Sequence, residues 1–229
     1  MGNENRFLVI AAAGSGNRLL ADIPKQYLKI NGKPVIIWAI HAFLTFVKTE
    51  NIIVVISKSH QELWKGLKSD YGELQNIKTV YGGPERFHSV MAALKLLPDK
   101  GVVAIHDAAR PLVNRETIRN CFRLAAIKGN AVPVASVRNS IRLLENGENK
   151  NLARKKLRTV QTPQAFKSSI IKKAYKTNYL DFFTDDASVM EHAGHKIHLC
   201  TGNDENIKIT TKTDLILAEI ILRDRALSS

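Results

Sequence analysis

The run Ala11-Ala12-Ala13-Gly14-Ser15-Gly16-Asn17-Arg18, followed by Pro24-Lys25-Gln26-Tyr27, has the make-up of an anion cradle. Small residues let backbone amides come close to a phosphate. Arg18 and Lys25 can add two cations to the same ligand. The order is not a dinucleotide fingerprint, because Leu19 stands where the third glycine of G-x-G-x-x-G belongs. Nor is it a Walker A loop, which needs Gly-Lys-Ser/Thr. A nucleoside triphosphate held by loop amides together with Arg18 and Lys25 fits better. The plain alternative is a turn with two solvated cations.

Four further segments hold candidate chemistry. Gly82-Gly83-Pro84-Glu85-Arg86-Phe87-His88-Ser89 sits at a strand-to-helix junction, where backbone beside paired glycines can read a base edge and Arg86 and Ser89 can add side-chain bonds. Taken alone, it reads better as a tight turn before a helix. His106-Asp107-Ala108-Ala109-Arg110-Pro111 follows an apolar strand. Asp107 at a strand's carboxyl end is placed to hold Mg²⁺, which prefers a carboxylate, waters and phosphate oxygens; a helix N-cap is the competing role. Arg110 can reach a second anion, and His106 reads as a core histidine satisfied by backbone rather than a ligand. Thr162-Pro163-Gln164, with Arg154 eight residues earlier, and Asn206-Ile207-Lys208 are weaker signals.

The elements that must position these residues follow from hydrophobic patterning. Apolar runs at 6–12, 51–56, 101–105 and 131–134, with a shorter strand at 77–81, alternate with helical patterns at 34–46, 59–68, 86–97 and 115–128. That alternation predicts an α/β fold: a mostly parallel twisted sheet with helices on both faces. Ligands of such sheets bind at the carboxyl ends of the strands, so Ala12-Ala13-Gly14 and His106-Asp107-Ala108 should wall one cleft. The pattern then breaks. Residues 136–156 carry IRLL, an Asn146-Gly147 turn and a basic return, which reads as a projecting β-arm. Helices are expected at 167–178, 185–192 and 211–227, the last opening on a capping-box-like Thr211 and Asp214, and a strand at 196–200.

Length and composition set the bounds. The chain has 229 residues, 45% hydrophobic and 24% charged, which suits one folded domain over 1–229 with the arm inside it. Cys121 and Cys200 are distant in sequence and not a CxxC pair, against a disulfide framework or zinc site. There is no apolar run of about 18 residues for a membrane span and no secretory leader pattern, so a cytoplasmic location is expected. The chain stops soon after the last helix, so no fused second enzyme is expected. A net charge of +13 points to polyanionic partners or to a generally basic surface. Basic residues are spread along the chain without a nucleic-acid motif, which favours small phosphorylated ligands over nucleic acid.

Taken together, AAAGSGNR, PKQYL, GGPERFHSV, HDAARP, TPQ, TDDAS and ENIKIT, in this order and spacing, resemble the 2-C-methyl-D-erythritol 4-phosphate cytidylyltransferase family from Val9 to about Leu222. The resemblance implies a Rossmann-like nucleotidyltransferase fold. It also implies cytidylyl transfer from CTP to methylerythritol phosphate with release of pyrophosphate, using Mg²⁺, in non-mevalonate isoprenoid synthesis. On that likeness Arg18 and Lys25 stabilise the transition state, and the 12–16 loop cradles phosphate and ribose. Gly82, Gly83, Arg86 and Ser89 recognise cytosine, Asp107 serves the metal, and Arg110, Arg154, Thr162 and Lys208 surround the sugar phosphate. The family's arm crosses to a partner subunit, which implies a homodimer in which Ser140 and Arg154 serve the neighbour's site. The acceptor phosphate is already ionised, so no general base is expected; Lys208 and Arg154 would hold it.

Three positions depart from the family pattern. Asn17 replaces a second arginine found in some members, Pro84 an aspartate, and Asn139-Ser140-Ile141-Arg142 a more usual Asp-Thr-x-Lys. The closest rival is a ribitol 5-phosphate cytidylyltransferase of the same fold. A nucleotide-sugar glycosyltransferase would want an Asp-x-Asp motif that His106-Asp107-Ala108-Ala109 lacks, and a nucleic-acid binder would rest on charge alone.

Overall fold

The computed structural model of the chain describes residues 5–14 and 23–227. Its main sheet has eight strands: β1 (Arg6–Ala12), β4 (Ile52–Ile56), β5 (Lys78–Tyr81), β6 (Val102–Asp107), β7 (Asn130–Ser136), β10 (Arg158–Val160), β11 (Gln164–Lys167) and β12 (Leu199–Thr201). The order is β10-β7-β11-β6-β1-β4-β5, with β12 also on β7. The β6-β1-β4-β5 half is parallel. Short β2 (Lys29–Ile30) and β3 (Lys33–Pro34) form a separate ribbon, as do β8 (Ile141–Glu145) and β9 (Glu148–Leu152).

Strand periodicity explains the layers. Alternate residues of a strand point to opposite faces. Leu8 and Ile10 of β1 therefore pack on one side with Ile40, Phe43 and Trp64, beneath α1 (Val35–His41), α2 (Gln61–Asp70) and α4 (Arg115–Lys128). Phe7 and Val9 pack on the other with Phe87, Ile171 and Met190, beneath α3 (Arg86–Leu94), α5 (Ser168–Ala174) and α6 (Asp186–His192). A third, smaller cluster joins Ile30, Val35 and Leu112 to Ala218 and Leu222 of α7 (Lys212–Leu227). The expected capping box of α7 is present: the Thr211 amide donates to Asp214 and the Asp214 amide to Thr211 Oγ1.

Several boundaries differ from expectation. The helix expected over 34–46 is α-helical only to His41, after which bonds such as Phe43 N to Ile40 O close tighter turns. The strand expected over 196–200 is β12 at 199–201, because the Asn130 side chain takes the backbone first: its amide donates to Lys196 O and its oxygen accepts from His198 N. The sequence pattern assigns no element to residues 164–166 and opens a helix at Lys167. Residues 164–167 form β11, antiparallel to both β6 and β7; with β10 antiparallel and β12 parallel to β7, the sheet is mixed beyond β6. The sulfurs of Cys121 and Cys200, 79 residues apart, lie 3.5 Å from each other as free thiols.

The 136–156 segment contains the expected hairpin. Asn146 and Gly147 both take positive φ, 52° and 80°, as a tight two-residue hairpin turn requires. The hairpin pairs only with itself and is largely exposed. No helix among the described residues is long and apolar enough to cross a membrane.

Candidate active site

The carboxyl ends of β1 and β6 open into one cleft of about 350 Å³. Ala12, Ala13 and Gly14 form one wall, Asp107 and Ala108 another, with Gly83, Arg86 and Ser89 at one end and Lys25 and Lys208 at the rim. The two strand ends singled out in the sequence therefore do meet. Arg18 and Gly16 lie outside the described residues.

Each wall has a local cause. Lys25 belongs to a single 3-10 turn after Pro24, and the next residue bolts that turn to β1. Gln26 Nε2 donates to Ala12 O at 2.8 Å and to Gly14 O at 3.0 Å. Gly82 stands where the 82–86 turn touches the first loop. A Cβ on it would come within 2.5 Å of Ala13 Cβ and 2.6 Å of Ser89 Oγ, while its amide is held by Ile56 O at 2.8 Å. Gly82→Ala is therefore expected to push the 12–14 loop out of place. It should weaken binding of the nucleoside triphosphate expected there about tenfold or more and cost about 1–3 kcal/mol of stability, as read by nucleotide titration and thermal melting.

Asp107 is the charge hub. Lys208 Nζ is 2.9 Å from Oδ2, Arg110 Nε 3.6 Å from Oδ2, and Arg86 Nε 3.4 Å from Oδ1. Burial alone would raise its pKa, but Arg86, Lys208 and Arg110 outweigh that and hold the carboxyl well below the usual range. Arg110 is itself aimed by a 2.7 Å bond to Asn206 O, and Asn206 Nδ2 grips Thr162 O at 2.8 Å. Lys208 is 41% exposed and can follow a ligand.

His106 matches the core reading. Its Nε2 donates to Arg110 O at 3.0 Å and its Nδ1 accepts from Thr162 Oγ1 at 3.0 Å. That hydroxyl in turn accepts from the Asp107 amide at 3.1 Å. Burial pushes the His106 pKa down to about 4. An unfolded histidine takes its proton near pH 6.5, so between these values only the unfolded state is protonated. Stability is therefore expected to fall by on the order of 3 kcal/mol as pH drops from about 6.5 to 4, measured by denaturant titration. A His106→Asn chain that lost stability equally over that window would contradict the assignment.

The remaining sequence candidates separate. Arg110 and Thr162 line a recess of about 220 Å³ that shares Asp107 and Lys208 with the main cleft and adds Gln164 and Asp185. The Thr162 hydroxyl is buried and already engaged, so within this chain it positions His106 and Asp107. Arg86 is likewise engaged: Nη1 and Nη2 donate to Asp186 at 2.9 and 2.7 Å. Its guanidinium thus braces the wall of the cleft instead of standing free for a base. Ser140 and Arg154 line neither the cleft nor the recess, and Arg154 donates to Arg138 O on the arm. Gln26, Asp186 and Tyr175 were given no role from sequence, and Asn206 stood only within a weak segment. The signals available were the motifs PKQY, ENIKIT and TDDAS, which hold three of them.

A dense set of cations facing one carboxylate, with loop amides opposite, suits binding of polyanions and stabilisation of charge developing on phosphates. It offers no nucleophile activated by an adjacent base among the described residues.

The family model for 2-C-methyl-D-erythritol 4-phosphate cytidylyltransferase matches residues 7–224. A protein of that name from Phocaeicola vulgatus is 41% identical over 218 residues, covering 95% of this chain and 100% of the relative. One from Porphyromonas gingivalis is 40% identical over 220 residues, covering 96% and 98%. The crystal structure of the Thermus thermophilus cytidylyltransferase superposes with a TM-score of 0.77 at 27% identity, covering 96% and 99%. A structure titled 4-diphosphocytidyl-2C-methyl-D-erythritol synthase, from Anaerococcus prevotii, shares the fold with a TM-score of 0.81 at 24% identity, covering 97% and 100%. The chain belongs to the 2-C-methyl-D-erythritol 4-phosphate cytidylyltransferase family.

Proposed function

We propose that this chain transfers the cytidylyl group of CTP to 2-C-methyl-D-erythritol 4-phosphate, releasing pyrophosphate, in the non-mevalonate route to isoprenoid precursors. The observation that supports it most is the meeting of Lys25, Asp107 and Lys208 at one strand-end cleft walled by small residues, with Arg110 reaching Asp107 from the adjoining recess. The base lies toward Gly82, Gly83 and Ser89. The triphosphate lies along Ala12, Ala13 and Gly14, with Lys25 and, from outside the described residues, Arg18 and Gly16.

A phosphate oxygen of the acceptor attacks the α-phosphorus. A new P–O bond forms and the α–β bridge breaks, its electron pair leaving with pyrophosphate. The attacking oxygen is already ionised, so no proton has to be removed. The obstacle is bringing one anion to another, and fixed cations lower it by positioning and charge stabilisation. Lys25 and Arg18 offset charge on the α-phosphate and leaving group. Lys208 and Arg110 hold the acceptor phosphate.

Mg²⁺ fits the donor set. Asp107 presents one cleft-facing carboxylate that stays ionised. Among the described residues there is no group of three or more His, Cys, Asp or Glu that would make a closed cage. One carboxylate plus phosphate oxygens and water is the usual Mg²⁺ arrangement. When bound, the ion neutralises phosphate charge.

Ser140 and Arg154 flank the exposed hairpin and line neither the cleft nor the recess of their own chain, which agrees with their serving a partner's site in a homodimer. The test is the product. Incubation with CTP, Mg²⁺ and methylerythritol phosphate should give a phosphorus spectrum with two coupled diphosphate resonances alongside pyrophosphate. Diphosphate resonances and pyrophosphate that appear only with ribitol 5-phosphate as acceptor would move the chain to that acceptor. Oligonucleotide binding without pyrophosphate release would remove the enzymatic reading.

A further inference from the structure

A buried carboxylate outside the cleft is tied into it. Asp186, the first residue of α6, is fully buried. It accepts Nη1 and Nη2 of Arg86 at 2.9 and 2.7 Å and the Tyr175 hydroxyl at 2.6 Å. Arg86 opens α3, immediately after the 82–85 turn, and its remaining nitrogen, Nε, faces Asp107 Oδ1 at 3.4 Å. The start of α6 is held from the opposite side as well. Gln164 on β11 accepts from the Ala187 amide at 2.9 Å and donates to Asp185 at 2.8 Å.

We propose that Asp186 is a positioning residue for nucleotide binding. From beneath the cleft it fixes the Arg86 fork, and through Arg86 it sets both the Asp107 carboxylate and the turn that ends at Arg86. It touches no substrate.

Two physical points carry this. A buried ion pair is weak evidence for stability, because apolar residues of similar volume often serve as well. A bidentate arginine–carboxylate pair is, however, strong in setting direction. Here it decides which nitrogen is left over. With both Nη groups taken by Asp186, only Nε remains for Asp107, and the Arg86 charge is shared between two carboxylates. A ligand's phosphates are then left to Lys25, Lys208 and the loop amides. Without Asp186 the fork is free to turn and capture Asp107 or a phosphate, which would disturb the hub.

The proposal rests on the cleft being the CTP site, so the test reads CTP binding alone, with Mg²⁺ and no acceptor, by calorimetry. The chains are the parent, Asp186→Asn, Asp107→Asn and the double variant, with far-UV circular dichroism and thermal melting on each. Asp186→Asn should weaken CTP binding about tenfold while the chain remains folded. In the Asp107→Asn background the same change should cost less than about threefold, because residues in one ion-pair network are not additive. Asp186→Glu should recover part of the loss. Tyr175→Phe, which spares both Arg86 bonds, should lower the melting temperature and leave CTP binding within about threefold. If Asp186→Asn does not fold, Arg86→Lys keeps the charge, loses the fork, and should show the same non-additivity with Asp107→Asn. Fully additive losses, or parent-like CTP binding by folded Asp186→Asn, would overturn the proposal while leaving the cytidylyl-transfer reading intact. A parent chain that binds no CTP would overturn both.

Discussion

Lys208→Ala is expected to fold like the parent and to lose about 10²–10³ in turnover, the usual scale for removing one fixed charge-stabilising group. The fold should survive because the backbone there is held without the ammonium. Asn206 is buried on Thr162, and the Ile209 amide donates to Ala109 O at 2.8 Å. Asp107 keeps Arg86 and Arg110 as partners when Lys208 is gone. What disappears is a half-exposed cation at the mouth shared by the cleft and the recess. The loss should fall on kcat and on the acceptor KM, with CTP binding weakened less. Lys25→Ala should lose turnover on the same scale but with its larger binding loss toward CTP. Pyrophosphate release with CTP and acceptor each titrated in turn, with circular dichroism on the same samples, checks both. Near-parent turnover of a folded Lys208→Ala chain would remove the residue from the site.

Asp107→Asn should be the most damaging single change. It removes the carboxylate that three cations share and leaves Arg86, Arg110 and Lys208 facing one another in a poorly solvated pocket. Breaking a buried charge arrangement from one side costs about 3–5 kcal/mol. The site also loses the group proposed to meet Mg²⁺, so catalytic efficiency toward CTP should fall about 10³-fold or more. The pH sign follows from the direction of the shift. The folded carboxyl lies below its unfolded value, so its contribution to stability is complete above about pH 4 and is lost only as pH falls below that. Between pH 5 and 8 this group should place no acid limb on the activity profile. An Asp107→Asn chain with parent-like stability at pH 7, or a parent activity limb near pH 5 that vanishes in the variant, would contradict this description of the hub.

Much of the architecture was legible because burial wrote itself into the sequence. IIVVI and VVAI are apolar without interruption, as strands covered on both faces must be, and α4 matched its expected span of 115–128 because Asn114 caps its start and Gly129 its end. QAFK at 164–167 was not legible. Its four residues are held in the sheet by β6 and β7, partners far away in sequence, and show no period of their own. Lys196 to His198 read as strand, but the side chain of Asn130 satisfies that backbone.

The site divides in the same way. Residues that line the cleft, such as Lys25, Asp107 and Lys208, announced themselves through charge at strand ends and loops. Residues that hold those in place did not. Gln26, Asn206 and Asp186 act through bonds to chain 12, 44 and 100 residues away, and no local spacing reports such partners. Arg86 was a candidate from its segment, but its orientation depends on Asp186 and so could not be read from that segment.

The most direct test is the initial rate of pyrophosphate release from CTP and Mg²⁺ by the parent chain, measured alone, with 2-C-methyl-D-erythritol 4-phosphate, and with ribitol 5-phosphate. The account predicts negligible release from CTP alone and rapid, saturable release with methylerythritol phosphate, at least about tenfold more efficient than with ribitol 5-phosphate. Release that ignores the acceptor, or that requires ribitol 5-phosphate, would contradict it.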